Sequence, residues 1–285
     1  MKGIILAAGK SSRLYPTSLA FNKVFLPIYD KPMLYYPLAT LINANIRDIL
    51  LIVSQRDLDL FKTFLGDGKQ LGLNISYEIQ KEPKGTAEAL LIGEKFIGED
   101  NACLIFGDNV FFGGNMNELL EKCGKGFGGA TVFGYYVEDP RPFGVAEFDK
   151  EGNILSLEEK PQNPKSNYAV TGLYFYDKKC VEYAKTLTPS QRGELEITDL
   201  NKLYLQDGNL KIELLSKDVK WLDTGNATSL LEAGNIVSNY QESGEFVACI
   251  EELVYKKGYI TKTQFEQLIQ PLSKTLYGKH LKSLL

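Results

Sequence analysis

The chain has 285 residues, of which 44% are hydrophobic and 24% are charged, and its formal net charge is −4. This length and composition fit one large α/β domain or two modest ones with a full core, and they exclude a largely disordered chain. The slightly acidic balance provides no general field for nucleic acid or an anionic membrane, so neither is expected as a partner. Any anion site must therefore use local cations.

Cysteine and histidine usage narrows the possible chemistry. The four cysteines are widely scattered without a Cys-x-x-Cys pair, so zinc is not expected and a reducing cytosol fits. The only histidine, His280, lies near the C-terminus, which argues against a histidine-based triad or a histidine-ligated metal. The composition still allows a site for a hard metal ion held by oxygen ligands. No signal-peptide pattern and no apolar run of about 18 residues is present, so we expect a cytoplasmic location.

The first half of the chain alternates strand-like and helix-like segments. Strands are predicted at 3–7, 49–53, 75–79 and 102–106, and helices at 32–45, 57–65 and 86–96. Pro37 is unfavourable inside a helix and could kink the first one. Thr86 is a plausible N-cap of the third helix. The β-α-β-α-β order predicts an α/β fold with a doubly wound, mostly parallel, Rossmann-like sheet. Ligands are then expected at the carboxyl ends of its strands.

The regular alternation of strands and helices ends in the second half of the chain. Strands are predicted at 130–137, 144–148, 154–159 and 169–176, with a hairpin turn at 149–153, so a small mixed or antiparallel lobe is expected. Helices at 195–206 and 228–240 enclose strands at 210–215 and 219–222. From residue 243 onward short amphipathic helices are predicted. We expect a core domain over 1–242 and a helical extension over 243–285, packed on the core or at an oligomer interface.

The N-terminal strand leads into a loop of small and cationic residues. Small residues at Ala8 and Gly9 let the backbone approach phosphate oxygens, and Arg13 and Lys23 add cations. The loop is neither a Walker A motif nor a dinucleotide fingerprint, which makes a nicotinamide oxidoreductase unlikely. For Gly9 alone, an ordinary turn after a buried strand is the simpler interpretation. Together with both cations, the loop favours phosphate binding.

Two aspartates follow strand-like segments far apart in the chain. Asp108 comes directly after the strand at 102–106, and Asp223 follows Trp221-Leu222. Mg²⁺ commonly takes one or two carboxylates and fills its other positions with phosphate and water. Each aspartate could instead cap a turn or helix, and for Asp223 alone that alternative is favoured.

A third polar group lies after the strand at 154–159. Because Lys160 precedes a proline, it is expected to be held extended and aimed at a phosphate, while Glu159 accepts a hydroxyl. The commoner alternative is a solvated charge cluster at a strand end. Val170 to Tyr174 could place small residues against a sugar, or could be only a core strand. Since no nucleophile is paired with a base, the pattern favours direct phosphoryl or nucleotidyl transfer.

Taken together, these motifs resemble the sugar-1-phosphate nucleotidyltransferases, and among them most closely the glucose-1-phosphate thymidylyltransferases. The matching stretches cover nearly the whole chain in order. They are 2–16, 22–27, 29–33, 66–68, 106–109, 156–161, 165–176, 192–199 and 221–225.

The resemblance implies a reaction and roles for individual residues. Its substrates would be dTTP, or UTP, and glucose 1-phosphate, with Mg²⁺ as cofactor, and the products dTDP-glucose and pyrophosphate. It further implies a homotetramer and a second, regulatory site for a dTDP-sugar. The implied nucleotide site comprises Leu6, Ala8, Gly9, Arg13, Lys23, Gln80, Pro83, Gly85 and Asp108. The implied sugar-phosphate site comprises Thr86, Phe143, Gly144, Glu159, Lys160, Val170, Tyr174 and Trp221. The implied catalytic set is Arg13, Lys23, Asp108, Lys160 and Asp223, of which Asp108 and Asp223 hold the metal.

The chain departs from the family pattern in two regions. In the phosphate loop, Ala8 replaces a glycine, Lys10-Ser11-Ser12 replaces Ser-Gly-Thr, and Val24 replaces a glutamine. In the sugar pocket, Thr86 replaces a leucine and Phe143 a tyrosine. These changes leave two alternatives open. One is a transferase for UTP or another sugar 1-phosphate, and the other is a non-catalytic nucleotide-sugar sensor.

Overall fold

The computed structural model describes residues 1–126 and 128–285. The strands of this described part are β1 Lys2–Leu6, β2 Pro27–Ile28, β3 Lys31–Pro32, β4 Asp48–Val53, β5 Asn74–Ile79, β6 Ala102–Phe106, β7 Asn109–Phe112, β8 Ala130–Tyr136, β9 Gly144–Phe148, β10 Ile154–Glu159, β11 Tyr168–Tyr176, β12 Leu210–Leu214 and β13 Lys220–Asp223. The α-helices are α1 Thr17–Ala20, α2 Tyr35–Asn43, α3 Leu58–Leu65, α4 Glu88–Ile92, α5 Glu94–Ile97, α6 Met116–Gly124, α7 Cys180–Thr186, α8 Ile197–Gln206, α9 Ala227–Glu242, α10 Ile250–Lys256, α11 Lys262–Ile269 and α12 Leu276–Lys282.

A nine-stranded sheet forms the centre of the molecule. Its main path runs β10-β9-β11-β6-β1-β4-β5, with β8 paired to β11 and β12 paired to β8. The pairs β6-β1, β1-β4 and β4-β5 are parallel, whereas β11 runs antiparallel to β6, β8 and β9. The predicted parallel core with an antiparallel lobe is therefore confirmed.

Both faces of the central strands β1, β4 and β6 are buried, which explains the continuous apolar runs in their sequence. Alternate residues of β1 point to opposite faces, so that Ile4 and Ile5 are both fully buried but belong to separate hydrophobic clusters. One cluster contains residues of α2 and the C-terminal helices, and the other contains residues of α4, α7 and α8. This two-sided covering is the doubly wound arrangement predicted from the alternation of elements.

Two helix predictions need correction. The first helix begins at Tyr35 rather than Pro32, and Pro37 is its third residue, where a missing N–H removes no intrahelical bond. The segment predicted as one helix from Thr86 divides at Gly93 into α4 and α5. Thr86 is not the N-cap, because its hydroxyl accepts a hydrogen bond from the Ile197 N–H at 3.3 Å. Tertiary contact has replaced local capping at this position.

The segment after residue 242 packs on the core of its own chain. Phe265 is fully buried and stacks on Tyr255 with ring centroids 4.4 Å apart. The hydroxyl of Tyr35, at the start of α2, donates to Glu251 of α10 at 3.1 Å. The predicted helices are therefore present, and their apolar stripe faces this chain's own core. In the part of the chain that the structure describes, no helix is long and apolar enough to cross a bilayer.

Candidate active site

A cleft of about 460 Å³ opens beyond the carboxyl ends of β6, β10 and β13. This is the edge of the sheet at which the strand order predicted a ligand site. Eleven of the residues predicted from the sequence line it together: Arg13, Thr86, Asp108, Phe143, Gly144, Glu159, Lys160, Val170, Tyr174, Trp221 and Asp223.

Backbone pairing brings the two predicted metal ligands side by side. Strands β7 and β13 are antiparallel, and their register places Asp223 opposite Asn109, next to Asp108. Thr224 extends the pairing, because its N–H and hydroxyl both donate to the Asp108 carbonyl, at 3.0 and 2.8 Å. Asp223 also accepts the Gly225 N–H at 3.1 Å. Asp223 therefore does cap the turn at Gly225, as the alternative interpretation expected. The same side chain also lines the cleft.

Two cations compensate this carboxylate pair. The Lys23 ammonium donates to Asp108 in a close ion pair. Burial opposes ionisation of Asp108, but the charge and hydrogen bond of Lys23 outweigh it and hold the Asp108 pKa below its usual value. The pKa of Asp223 is raised by burial and by the charge of Asp108, with Arg13 and Lys23 acting in the opposite direction.

The donor set fits a hard divalent cation. Two carboxylates from distant segments converge. The Asp108 pKa is lowered by Lys23 against the effect of burial, whereas the Asp223 pKa is raised by burial and then by the charge of Asp108. Among the described residues, no third Asp, Glu, His or Cys joins them in a closely spaced group. The remaining positions around a cation would then belong to water and phosphate, which is how Mg²⁺ is usually held.

Glycines keep the walls of the cleft clear. A Cβ on Gly225 would lie 2.4 Å from the Arg13 guanidinium and 3.0 Å from an Asp223 oxygen, so both side chains can approach this position only because it lacks a side chain. A Cβ on Gly172 would lie 2.6 Å from the Phe106 ring. Both glycines are therefore required by close approach.

The opposite end of the cleft carries the other predicted polar pair. Glu159 accepts a hydrogen bond from the Thr198 hydroxyl at 2.5 Å, and its other oxygen lies 3.8 Å from the Lys160 ammonium. Lys160 is not extended as predicted, because its φ is +46°, while its N–H donates to the Phe143 carbonyl at 2.9 Å. Left-handed backbone at a non-glycine residue is strained and is most often found at functional sites. The charge cluster is thus part of the cleft.

Asn109 is a site residue that sequence reasoning did not identify. Its buried amide oxygen accepts the Trp221 indole N–H at 2.7 Å and the Gly172 N–H at 3.0 Å, while its NH₂ donates to Asp108 at 3.3 Å. The pairing of β11 with β8 shifts register between Val170 and Tyr174, which frees the Gly172 N–H for this contact. The signals in the sequence were an amide next to a strand-end aspartate and its place in the stretch 106–109 that matched the family.

Arg192 was also missed as a site residue, although it lies in a stretch that matched the family. It lines the cleft and pairs with the buried Glu196 at 2.9 Å and with Glu159 at 3.7 Å. Glu196 holds it with both carboxylate oxygens. The run of alternating acidic residues before α8 was the available signal.

Gln80 directly follows β5 and is buried, so it is not a solvated residue at a strand end. Its NH₂ donates to Glu88 at 2.7 Å, and Glu88 also accepts the Lys84 N–H at 3.1 Å. The following loop is tied to the start of α8, because the backbone of Leu195 bonds both Lys84 and Ala87, at 2.7 and 3.0 Å. One NH₂ hydrogen and the carbonyl of Gln80 remain to meet a ligand.

The other predicted nucleotide residues are not in the lining of this cleft. Leu6 ends β1, Ala8 and Gly9 follow it, and Pro83 and Gly85 lie in the loop after β5. Gln80 and Lys23 are also outside the lining, and Lys23 reaches the site through its ion pair with Asp108. A buried asparagine holds the N-terminal loop in place: Asn22 donates to the Ala7 carbonyl at 2.7 Å and to Asp57 at 3.0 Å. It also caps the short 3₁₀ helix that presents Lys23. The position of Lys23 therefore depends on Asn22.

Comparison with known proteins agrees with this geometry. The family model described as nucleotidyl transferase matches residues 2–239. A glucose-1-phosphate thymidylyltransferase of Neisseria gonorrhoeae is 50% identical over 286 residues, covering 100% of this chain and 99% of the relative. One from Xanthomonas campestris pv. campestris strain B100 is 51% identical, covering 99% of this chain and 96% of the relative.

A solved structure of UDP-glucose pyrophosphorylase with UDP-glucose is 25% identical and superposes with a TM-score of 0.71 over 85% of this chain and 98% of that one. A family match over most of the length, full-length relatives at half identity and a cleft at the expected edge of the sheet all agree, and the chain therefore belongs to the nucleotidyl transferase family.

Proposed function

We propose that this nucleotidyltransferase transfers a thymidylyl group from dTTP to glucose 1-phosphate, giving dTDP-glucose and pyrophosphate. The observation that carries the proposal is the cleft lined by Arg13, Lys160 and the two carboxylates of Asp108 and Asp223, with Lys23 paired to Asp108 at its edge. The curated relatives with this name match the chain over its full length. A sugar-phosphate oxygen would attack the α-phosphorus in line, with pyrophosphate as the leaving group.

The residues divide the work between two ends of the cleft. Arg13 and Lys23 would bind the triphosphate through their positive charges. Lys160 would bind the phosphate of the sugar phosphate, and Glu159 would accept hydrogen bonds from the sugar hydroxyls. Asp108 and Asp223 would hold Mg²⁺, which when bound would neutralise the charge that develops on the phosphate oxygens. No side chain needs to form a covalent intermediate, because positioning and charge neutralisation suffice for this reaction class.

Three further points belong to this proposal. We assign residues 1–242 to the catalytic domain and 243–285 to an extension packed on it. We place the enzyme in the cytoplasm, in keeping with its four free, unpaired cysteines. A second site for a dTDP-sugar end product, by which the pathway would regulate the enzyme, is also part of the proposal.

We further propose a homotetramer. Large apolar side chains are exposed around a groove of about 680 Å³ between the N-terminal loop and α9. Among them, Tyr15 is 52% exposed and Leu231 is 68% exposed. A grouped set of exposed apolar side chains of this kind commonly marks a protein interface.

Substrate use tests the function directly. Five nucleoside triphosphates and several sugar 1-phosphates with Mg²⁺ would be assayed by pyrophosphate release. We expect dTTP with glucose 1-phosphate to be the best pair, UTP to be used, and CTP, ATP and GTP to be poor, because Gln80 can pair with the N3–H and a carbonyl of thymine or uracil. Release with none of the combinations would favour the nucleotide-sugar sensor.

The same assay examines Gln80. Gln80→Ala should reduce discrimination against CTP by about 1–3 kcal/mol, the cost of a buried unpaired partner. The exposed Gln162→Ala is the matched control and should change nothing. If Gln80→Ala keeps full discrimination, the base is read elsewhere, most simply by the backbone around Gly85.

The metal assignment predicts a large loss in two variants. Asp108→Asn and Asp223→Asn should each lower turnover more than about 100-fold with the fold intact, because several kcal/mol of charge stabilisation disappear. Turnover would be measured across a Mg²⁺ titration, with circular dichroism to verify folding. Asp139→Asn, at an exposed ion pair with Arg141, is the control and should behave as wild type. Wild-type turnover of both cleft variants at limiting Mg²⁺ would refute the assignment.

Lys160→Ala should affect one substrate selectively. The KM for glucose 1-phosphate should rise by at least about tenfold, whereas calorimetric binding of dTTP should stay nearly unchanged, because Arg13 and Lys23 hold that end. Lys165→Ala removes a neighbouring half-exposed lysine paired with Glu147 and should alter neither quantity. An equal loss for both substrates would contradict the assignment of Lys160 to the sugar phosphate.

Assembly can be measured by light scattering. We expect the mass of a tetramer at micromolar concentration, and Leu231→Glu should shift the population towards smaller species by placing a charge in the proposed interface. Leu155→Glu replaces a leucine that is 56% exposed on β10 and is the control. A monomer for the wild-type protein would refute the tetramer.

A further inference from the structure

A compact group of three potential metal ligands lies far from the cleft, where the last helix packs on α10. Cys249 precedes α10, Glu252 lies in its first turn, and His280 comes from α12. One ligand atom of each residue lies within 4.8 Å of the other two. Among the described residues, this is the one group of three or more such side chains with that spacing.

Local structure aims these side chains at one point. Cys249 and Glu252 are three residues apart, which places them on the same side of a helix start. The His280 ring stacks on Phe246 with centroids 3.7 Å apart and an interplanar angle of 6°, and its Nε2 lies 2.6 Å from Glu252 Oε2. The imidazole is therefore held by a flat aromatic contact with one nitrogen directed into the group.

One more contact orients the carboxylate of the group. The second oxygen of Glu252 is held by the Lys256 ammonium at 2.6 Å, which leaves the oxygen nearest His280 to act as a ligand. Such outer contacts commonly orient metal-binding carboxylates. Ala248, directly before Cys249, has a φ of +53°, a strained value for alanine that turns the chain into Cys249.

We propose that Cys249, Glu252 and His280 form a binding site for a borderline-soft divalent cation, Zn²⁺ in preference to Mg²⁺. Thiolate, imidazole and carboxylate are the ligands that Zn²⁺ takes in tetrahedral sites, with water in the remaining position. With Zn–N, Zn–O and Zn–S bonds of ordinary length, neighbouring ligand atoms lie about 3.3–3.6 Å apart. The histidine and glutamate atoms need to separate by less than about 1 Å, and the thiol to approach by a comparable amount.

Binding would exchange one bond set for another. The thiol proton of Cys249 leaves to solvent as the metal–sulfur bond forms, and the metal replaces the direct contact between His280 and Glu252. The thiol also gives up its weak hydrogen bond to the Val247 carbonyl, whose Sγ–O distance is 3.7 Å. Because His280 and Glu252 side chains are 18% and 13% exposed, the site has an edge open to solvent.

The site would tie the last helix to the core. Cys249 directly precedes α10 and Glu252 lies in it, and this helix packs on α2, whereas His280 is on the final helix of the described chain. A cation shared by these elements would stabilise the C-terminal packing through ligands that the unfolded chain does not hold together. Its role would be structural or regulatory and distinct from the cleft metal.

Cobalt provides a direct readout, because a cobalt–thiolate bond gives a charge-transfer absorption that oxygen ligands do not. Protein treated with a chelator and then freed of it would be titrated with Co²⁺ without Mg²⁺. We expect one equivalent to develop this band, Zn²⁺ to remove it by competition, and Zn²⁺ to raise the Tm by a few degrees.

Variants identify the ligands. Cys249→Ser should abolish the band, and His280→Phe, which keeps a flat ring on Phe246, should weaken Zn²⁺ binding by at least about tenfold. Cys123→Ala removes another buried free cysteine, in α6, and should leave the band unchanged. Absence of the band in wild-type protein, its survival in Cys249→Ser, or unchanged Zn²⁺ affinity in His280→Phe would each overturn the proposal.

Discussion

The site depends on keeping the buried carboxylates of Asp108 and Asp223 close together. Within the described part of the chain, only Asp108 of these two is in an ion pair, with Lys23. Asp108 remains ionised because Lys23 donates to it, whereas the pKa of Asp223 is raised beside it. A buried pair of like charges is unfavourable unless a cation compensates it. The fold therefore maintains a place where positive charge is stabilising, at the edge of the sheet where phosphates would arrive. The loop held by Asn22 positions Lys23 at that edge.

Much of the fold followed from local pattern. The buried runs of β1, β4 and β6 could be read as parallel strands because both of their faces are covered and few other structures permit such runs. Their order then located the cleft, since parallel strands end at one edge. Errors occurred where a distant segment decides local structure. Thr86 would cap a helix in isolation, but its hydroxyl oxygen instead accepts a hydrogen bond from the Ile197 N–H.

The site residues divide in the same way. Asp108 was recognisable because it directly follows a buried strand, whereas the significance of Asn109 depends on a bulge in β11 and on an indole more than a hundred residues away. Periodicity carries no information about such contacts. The Cys249, Glu252 and His280 group shows the same limit, because sequence spacing does not report that these residues of two separate segments come together.

The contacts of Asn109 have a consequence for how enzymes of this kind can diversify. Through one amide, the indole of Trp221, the backbone of β11 and the carboxylate of Asp108 form a single rigid frame. A substitution within this frame disturbs the metal end and the sugar end together. Changes in sugar preference should therefore accumulate on the wall outside it, where Phe143 contacts Trp221 only through its ring, at 5.1 Å between centroids. The molecule thus separates a hydrogen-bonded frame from a lining outside it, and a library that varies the lining alone should reach new acceptors with the chemistry preserved.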